Sequence, residues 1–142
     1  MGEVDALILV GRMLFALFFL MSGVGHITKR DMMTGYAKSQ GVPAAGLMVL
    51  GSGALLLAGG VMVAVGIYGD LGALLLVAFL IPTSLMMHAF WKDTDSKQRM
   101  DNQMSFMRNV SLLGATLLVF VLFAHFGHAF GLTVTKPLWT IR

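Results

Sequence analysis

The side chains with the most chemical capacity in this chain are His88, Trp91, Arg108 and Asn109, in the stretch LIPTSLMMHAFWKDTDSKQRMDNQMSFMRN from Leu80 to Asn109. An apolar run ends in His88 and Trp91, a short charged segment turns round, and a second apolar run opens with Arg108 and Asn109. A guanidinium at such a boundary can clamp a phosphate or carboxylate with two parallel hydrogen bonds. A carboxamide beside it offers a donor and an acceptor to a quinone carbonyl or to a neighbouring helix. These four are candidates for contact with a quinone or a lipid headgroup. The plain alternative is an interfacial anchor plus an interhelical hydrogen bond, and an indole at a span end satisfies an aromatic belt with no ligand at all.

Three further histidines widen the choice. His125 and His128 share one face of their helix at i, i+3, and His26 lies near the end of the first apolar run. Four histidines in a membrane protein invite a haem, a chlorophyll or a proton relay. Against ligation, no acid lies inside an apolar run to orient the imidazoles, and no haem-attachment motif occurs. Interfacial histidines bonded to backbone or headgroups are the favoured reading, with haem and chlorophyll behind. The serines are scattered and form no Ser/His/Asp set, so no catalytic residue is assigned. Without cysteine, thiolate chemistry and cysteine-ligated metal centres are excluded, and no metal site is assigned.

The elements that must position these residues follow from hydropathy. Of 142 residues 57% are hydrophobic and only 12% charged, with a mean hydropathy of +0.82. Soluble domains carry roughly a quarter charged residues, so the chain belongs in a bilayer. A hydrocarbon core about 30 Å thick needs about 20 apolar residues per helix. Four stretches qualify, approximately 6–27, 44–67, 71–91 and 105–131. Linkers too short for domains of their own make residues 1–142 one all-α, integral membrane four-helix bundle. The acids ahead of the first apolar run do not resemble a signal peptide's basic start, so that run stays as a span.

Within the spans a few positions stand out. Asp5, Arg12, Phe19 and His26 recur every seven residues, near one helical face. Arg12 either snorkels to the nearer interface or meets another helix, a headgroup or a carboxylate, with Asp5 the nearest acid in sequence. In span two, Gly46, Gly53 and Gly60 form one seven-residue series and Ala45, Ser52, Gly59 and Gly66 another. That small-residue stripe suits close helix packing, or alternatively a groove for a lipid, quinone or pigment tail. Pro82 removes one backbone hydrogen bond from span three, and Thr83 or Ser84 could re-satisfy the freed carbonyl. Ser84, His88 and Trp91 then share a face.

The net charge of +3 reports orientation in the bilayer, not nucleic-acid binding. Loops one and three hold Lys29, Arg30, Lys38, Lys92, Lys97 and Arg99, whereas the opposite side holds Lys136 and Arg142. The positive-inside rule makes loops one and three cytoplasmic. The first is amphipathic enough to lie on the membrane surface, and the tail, through Trp139, is expected to rest at the opposite interface.

On these residues the chain resembles the DoxX family of small four-span membrane proteins. The similarity is carried by Arg12, Ser22-Gly23 and His26, then by Gly41-Val42-Pro43, Ser52-Gly53 and Gly59-Gly60. It continues through the run from Pro82 to Trp91 and through Phe106-Met107-Arg108-Asn109 to Leu113-Gly114-Ala115. Family members often carry an acid in span two after Ser-Gly, where this chain reads Ala54, Leu55, Leu56 and Leu57, and a basic residue before span three, where it has Asp70. The resemblance implies a bacterial inner-membrane protein and, through namesakes similar to subunits of a thiosulfate:quinone oxidoreductase, a redox setting. The expectation is a small non-catalytic subunit of a respiratory or photosynthetic electron-transfer assembly, with other membrane subunits and lipid as partners. A quinone-reactive subunit and a histidine-ligated haem or pigment protein are the alternatives.

Overall fold

Long apolar stretches fold as helices in lipid because each must satisfy its own backbone groups. The computed structural model describes residues 2–129 and 131–141. Among them are α1 (Glu3–Thr28), α2 (Arg30–Ser39), α3 (Ala45–Val65), α4 (Gly69–Met87), a 3-10 turn (Phe90–Lys92) and α5 (Ser96–Phe126). Four of these, α1, α3, α4 with the turn that follows it, and α5, are long and apolar enough to cross a membrane. The chain is an all-α integral membrane helical bundle.

Asp5 opens α1 by accepting from the Gly2 amide at 3.1 Å, with Glu3 and Asp5 both in the first turn, where carboxylates suit the helix dipole. After a break at Lys29, α2 continues as a short amphipathic piece whose Ala37 packs with Ala45 and Val49. Asp95 caps α5 by accepting from the Gln98 amide at 2.9 Å. That cap, followed by good helix formers, starts α5 at Ser96 rather than near 105. Hydropathy sees only the part of a helix that needs lipid, so the polar first turns of α5 escape it.

The bundle packs in series, α1 on α3, α3 on α4 and α4 on α5, while the backbones of α1 and α5 scarcely approach. Phe19, Leu56, Leu76, Leu80 and Phe123 fill the centre. The two glycine series of span two face different neighbours. Gly53 and Gly60 lie against His26 and Leu20 of α1, whereas a Cβ on Gly59 would stand 2.8 Å from the Gly72 carbonyl of α4. Both sides of the stripe are thus filled by this chain's own helices, which is the ordinary packing use of small residues in a bilayer. In α4, the Ser84 hydroxyl donates to the Leu80 carbonyl at 2.6 Å, not to Ala78, whose helical partner Pro82 removes.

The tail turns back onto one end of the bundle. Gly66 and Ile67 end α3 by donating to the Met62 carbonyl, with Gly66 at φ +72°. The tail docks on this corner: the Val134 and Thr135 amides donate to the Gly66 carbonyl, both at 3.1 Å, and the Tyr68 amide donates to Thr135 Oγ1 at 2.8 Å. Trp139 packs near Phe120, and the Ile141 amide donates to the Ala124 carbonyl. Residues 131–141 form a strap over one end of the bundle. Arg142, counted above for orientation, lies outside the described residues.

Candidate functional site

At the strapped end, Arg12 is almost fully buried and, among the described residues, meets no carboxylate. Its Nε donates to the Val63 carbonyl at 3.0 Å, Nη2 to Ala64 at 2.7 Å and Nη1 to Leu132 at 3.0 Å. Val63 and Ala64 belong to the last turn of α3, whose carbonyls have no helical donors and carry the negative end of the dipole. The Phe123 ring lies 5.6 Å from the guanidinium carbon. Leu132 adopts φ +58°, a strained conformation for a branched side chain, and thereby turns its carbonyl to Arg12. Asp5, expected as the nearest acid, accepts instead from the Gly131 amide at 2.9 Å. The interhelical contact wins over snorkelling because orphan carbonyls at the same depth offer what water would.

Asp70 is the residue that sequence reasoning passed over. It is fully buried in the first turn of α4, and its Oδ2 accepts from the Leu138 and Trp139 amides at 2.6 and 2.8 Å. Among the described residues, its Oδ1 has no hydrogen-bond partner. The signal in the sequence was its departure from the family's basic residue.

His125 and His128 belong to this same end. His125 Nδ1 lies 2.8 Å from the Ile141 carbonyl, and His128 Nε2 lies 3.2 Å from Thr140 Oγ1. α5 ends at Phe126, so His128 is off the helix and the expected common face for the pair does not form. The glycines at 127 and 131 end the helix where an apolar count runs on.

The opposite end holds the remaining candidates. His26 is buried on the inner face of α1, its Nδ1 2.9 Å from the Ser22 carbonyl and its ring edge-on to Phe79. His88 follows the last residue of α4, and Trp91 lies on the 3-10 turn, so the helical face expected for Ser84, His88 and Trp91 is broken before His88. Trp91 stacks edge-on with Phe90 and Phe106 at ring separations of 5.2 and 5.7 Å, half-exposed.

Asn102 organises this end, and it lies in the stretch read as a solvated loop. Its Nδ2 donates to Asp93 Oδ2 at 2.8 Å, and its Oδ1 stands 3.4 Å from His88 Nδ1. A carboxylate only accepts, so Asp93 fixes the amide's orientation and gives His88 Nδ1 the proton. In the neutral imidazole, His88 Nε2 is then the lone-pair nitrogen. The Tyr36 hydroxyl donates to the Met87 carbonyl at 3.4 Å and also borders Asn102. Partial burial, together with the Asp93 charge, raises the Tyr36 pKa above its ordinary value, so the phenol stays neutral.

Arg108 and Asn109 diverge. Asn109 is buried with Asn102, Thr116 and Phe123, a seven-residue series that forms the inner seam of α5. Arg108 is exposed and turns to α1, its guanidinium carbon 5.8 Å from the centre of the Phe18 ring. The structure therefore places His88, Trp91, Arg108 and Asn109 at one end of the bundle but does not bring them into one pocket. It joins His88 to Asn102 and Asp93, Trp91 to two phenylalanines, and Arg108 to the face of α1. This arrangement can bind an anion or a polar headgroup at Arg108 and accept a hydrogen bond at His88.

Residues 7–89 match the family model described as DoxX. The match runs from α1 through α4, stopping one residue past His88, and leaves Arg108 and Asn109 outside it. No curated protein and no solved structure matches the chain.

Proposed function

The chain belongs to the DoxX family, and on that premise we propose that it is a small non-catalytic integral membrane subunit of a larger electron-transfer assembly. It sits in a bacterial inner membrane with the α1–α3 and α4–α5 connections cytoplasmic, and it anchors partner chains. The observation that carries this reading is the part of α5 that outruns the bilayer. Twenty residues back from Phe126 reach about as far as hydrocarbon extends, so the first turns of α5 stand in water or among headgroups. There Met100 and Met104 recur at i, i+4 and are 60 and 70% exposed, with Met107 next on the same face at the boundary and Trp91 half-exposed at the same end. Exposed methionines in a row on a rigid helix suit a protein partner, because the flexible thioether adapts to many surfaces. Meanwhile Arg12 and Asp70 hold the fold together.

Extraction of the tagged chain in mild detergent tests the reading. A membrane chain bearing a redox centre is expected to co-purify, and Met104→Glu is expected to reduce its recovery without unfolding the bundle. A chain that runs alone overturns the assignment.

A second reading, a subunit that handles quinone directly, is favoured by one observation: Arg108 stands over an aromatic ring beside an apolar groove. It predicts that Arg108→Ala abolishes quinone reduction in the purified assembly. Unchanged turnover removes it.

A further inference from the structure

The last residues of the strap run back along α5. The Trp139 ring stands 6.4 Å from that of Phe120, and the Ile141 amide donates to the Ala124 carbonyl at 3.2 Å. Phe120 precedes Phe126, the last residue of α5, by six residues, which is about 9 Å of helix rise. α1 supplies a second ruler. Its apolar run opens at Ala6, and six residues further on Arg12 faces Phe123, which lies three residues nearer the end of α5 than Phe120. Both helices therefore put Trp139 about 9 Å or more inside the end of the apolar bundle, within a hydrocarbon core about 30 Å thick.

Non-helical main chain at that depth is tolerated only where protein supplies its partners. Three of the amides from Leu138 to Ile141 have one. Leu138 and Trp139 donate to Asp70 Oδ2 at 2.6 and 2.8 Å, and Ile141 donates to Ala124. The Ile141 carbonyl stands 2.8 Å from His125 Nδ1. Pro137, where the descent starts, has no amide to satisfy. The side chains sort by the same rule. Leu138, Trp139 and Ile141 are 51, 42 and 38% exposed, whereas the Lys136 ammonium turns back to the His128 carbonyl, past the end of α5, at 3.3 Å. Apolar side chains facing outward over main-chain donors already bonded suit hydrocarbon, and the cation stays toward water.

We propose that residues 137–141 are a re-entrant segment whose Leu138, Trp139 and Ile141 side chains contact lipid acyl chains, with Asp70 standing in for water at its main chain. An indole resting on the surface would sit among headgroups in the aromatic belt; Trp139 lies below that belt. The full burial of Asp70 at the head of α4 follows, because its two amide donors are themselves under lipid. This placement concerns the opposite end of the bundle from the methionine row and holds with or without a redox partner.

Fluorescence of the full chain in phosphatidylcholine vesicles tests it. Trp91→Phe leaves Trp139 as the one indole of the chain. A nitroxide on the lipid acyl chain is expected to quench this indole more strongly than a nitroxide on the headgroup. Iodide on both sides of the membrane should quench it less than it quenches free tryptophan. In the same background Asp70→Ala should lose the acyl-chain quenching and gain iodide quenching, while Asp70→Asn, which keeps an oxygen for the two amides, behaves like its parent. Stronger quenching from the headgroup would overturn the re-entrant placement and leave the tail on the surface. Iodide quenching equal to that of free tryptophan would overturn it by placing the indole in water. Silence toward all three quenchers would overturn it by placing the indole under protein. Acyl-chain quenching that survives Asp70→Ala would overturn the part given to the carboxylate. The parent measurement stands by itself if the alanine variant fails to fold.

Discussion

A guanidinium buried among helices needs acceptors, and Arg12 takes three backbone carbonyls instead of a side chain. Arg12→Ala leaves those carbonyls without donors and is expected to cost about 3–5 kcal/mol in detergent unfolding. Lysine carries the charge but cannot reach three acceptors in a plane, so Arg12→Lys should fall between, at about 1–2 kcal/mol. Equal loss in both variants would show that the fork geometry is irrelevant. At Asp70, asparagine keeps one oxygen for the Leu138 and Trp139 amides and places its NH₂ where Oδ1 lacks a partner. Asp70→Asn should therefore leave the tail as protease-resistant as in the wild type, whereas Asp70→Ala should release it. At this scale the sequence was half legible. That Arg12 must be sheltered could be read from its place in an apolar run, but its partners could not, because a backbone carbonyl carries no residue identity.

Among the elements, the α3–α4 contact depends on two glycines meeting. A valine at position 59 would press on the Gly72 carbonyl and on Leu76, neither of which can retreat without parting the helices. Gly59→Val is expected to destabilise the bundle by about 2–3 kcal/mol. By contrast, a Cβ on Gly51 meets nothing within 4 Å, so Gly51→Ala should stay within about 1 kcal/mol of wild type. Thermal unfolding of the two variants side by side checks both values. The spacing of small residues predicted close packing here, but the division of the stripe between α1 and α4 depends on the angular offset of two adjacent series and needed coordinates. The seam of α5 was more legible than its use suggests. Asn102, Asn109, Thr116 and Phe123 repeat every seven residues, and the pattern was hidden because its first member lies among charges, in a segment whose helix is set by the Asp95 cap and not by hydropathy.

For the whole molecule, four apolar helices could be read directly from the sequence, since bilayer thickness fixes their length. The strap could not, because in most of its bonds the strap's own partner is a main-chain amide or carbonyl, which any sequence supplies. Removing residues 131–142 withdraws partners from Asp5, Arg12, Tyr68, Asp70 and Ala124 together. Deletion is expected to cost at least about 3 kcal/mol, and a truncated chain as stable as the full one would reduce the strap to decoration. The histidines give a simple check on the haem reading. His26 and His125 each have Nδ1 against a main-chain carbonyl, an orientation that ligating imidazoles also use, yet the purified chain is expected to show no visible absorption band. The strap also sets an order of events during synthesis. α1 enters the membrane before α3 and the strap, carrying a charge whose acceptors arrive only with them. Until then that charge must keep water, and the bundle's open end must stay wet. Closure thus waits on the strap, so a ribosome stalled before residue 131 should leave a fully threaded but unlatched bundle, exposed at that end to membrane proteases.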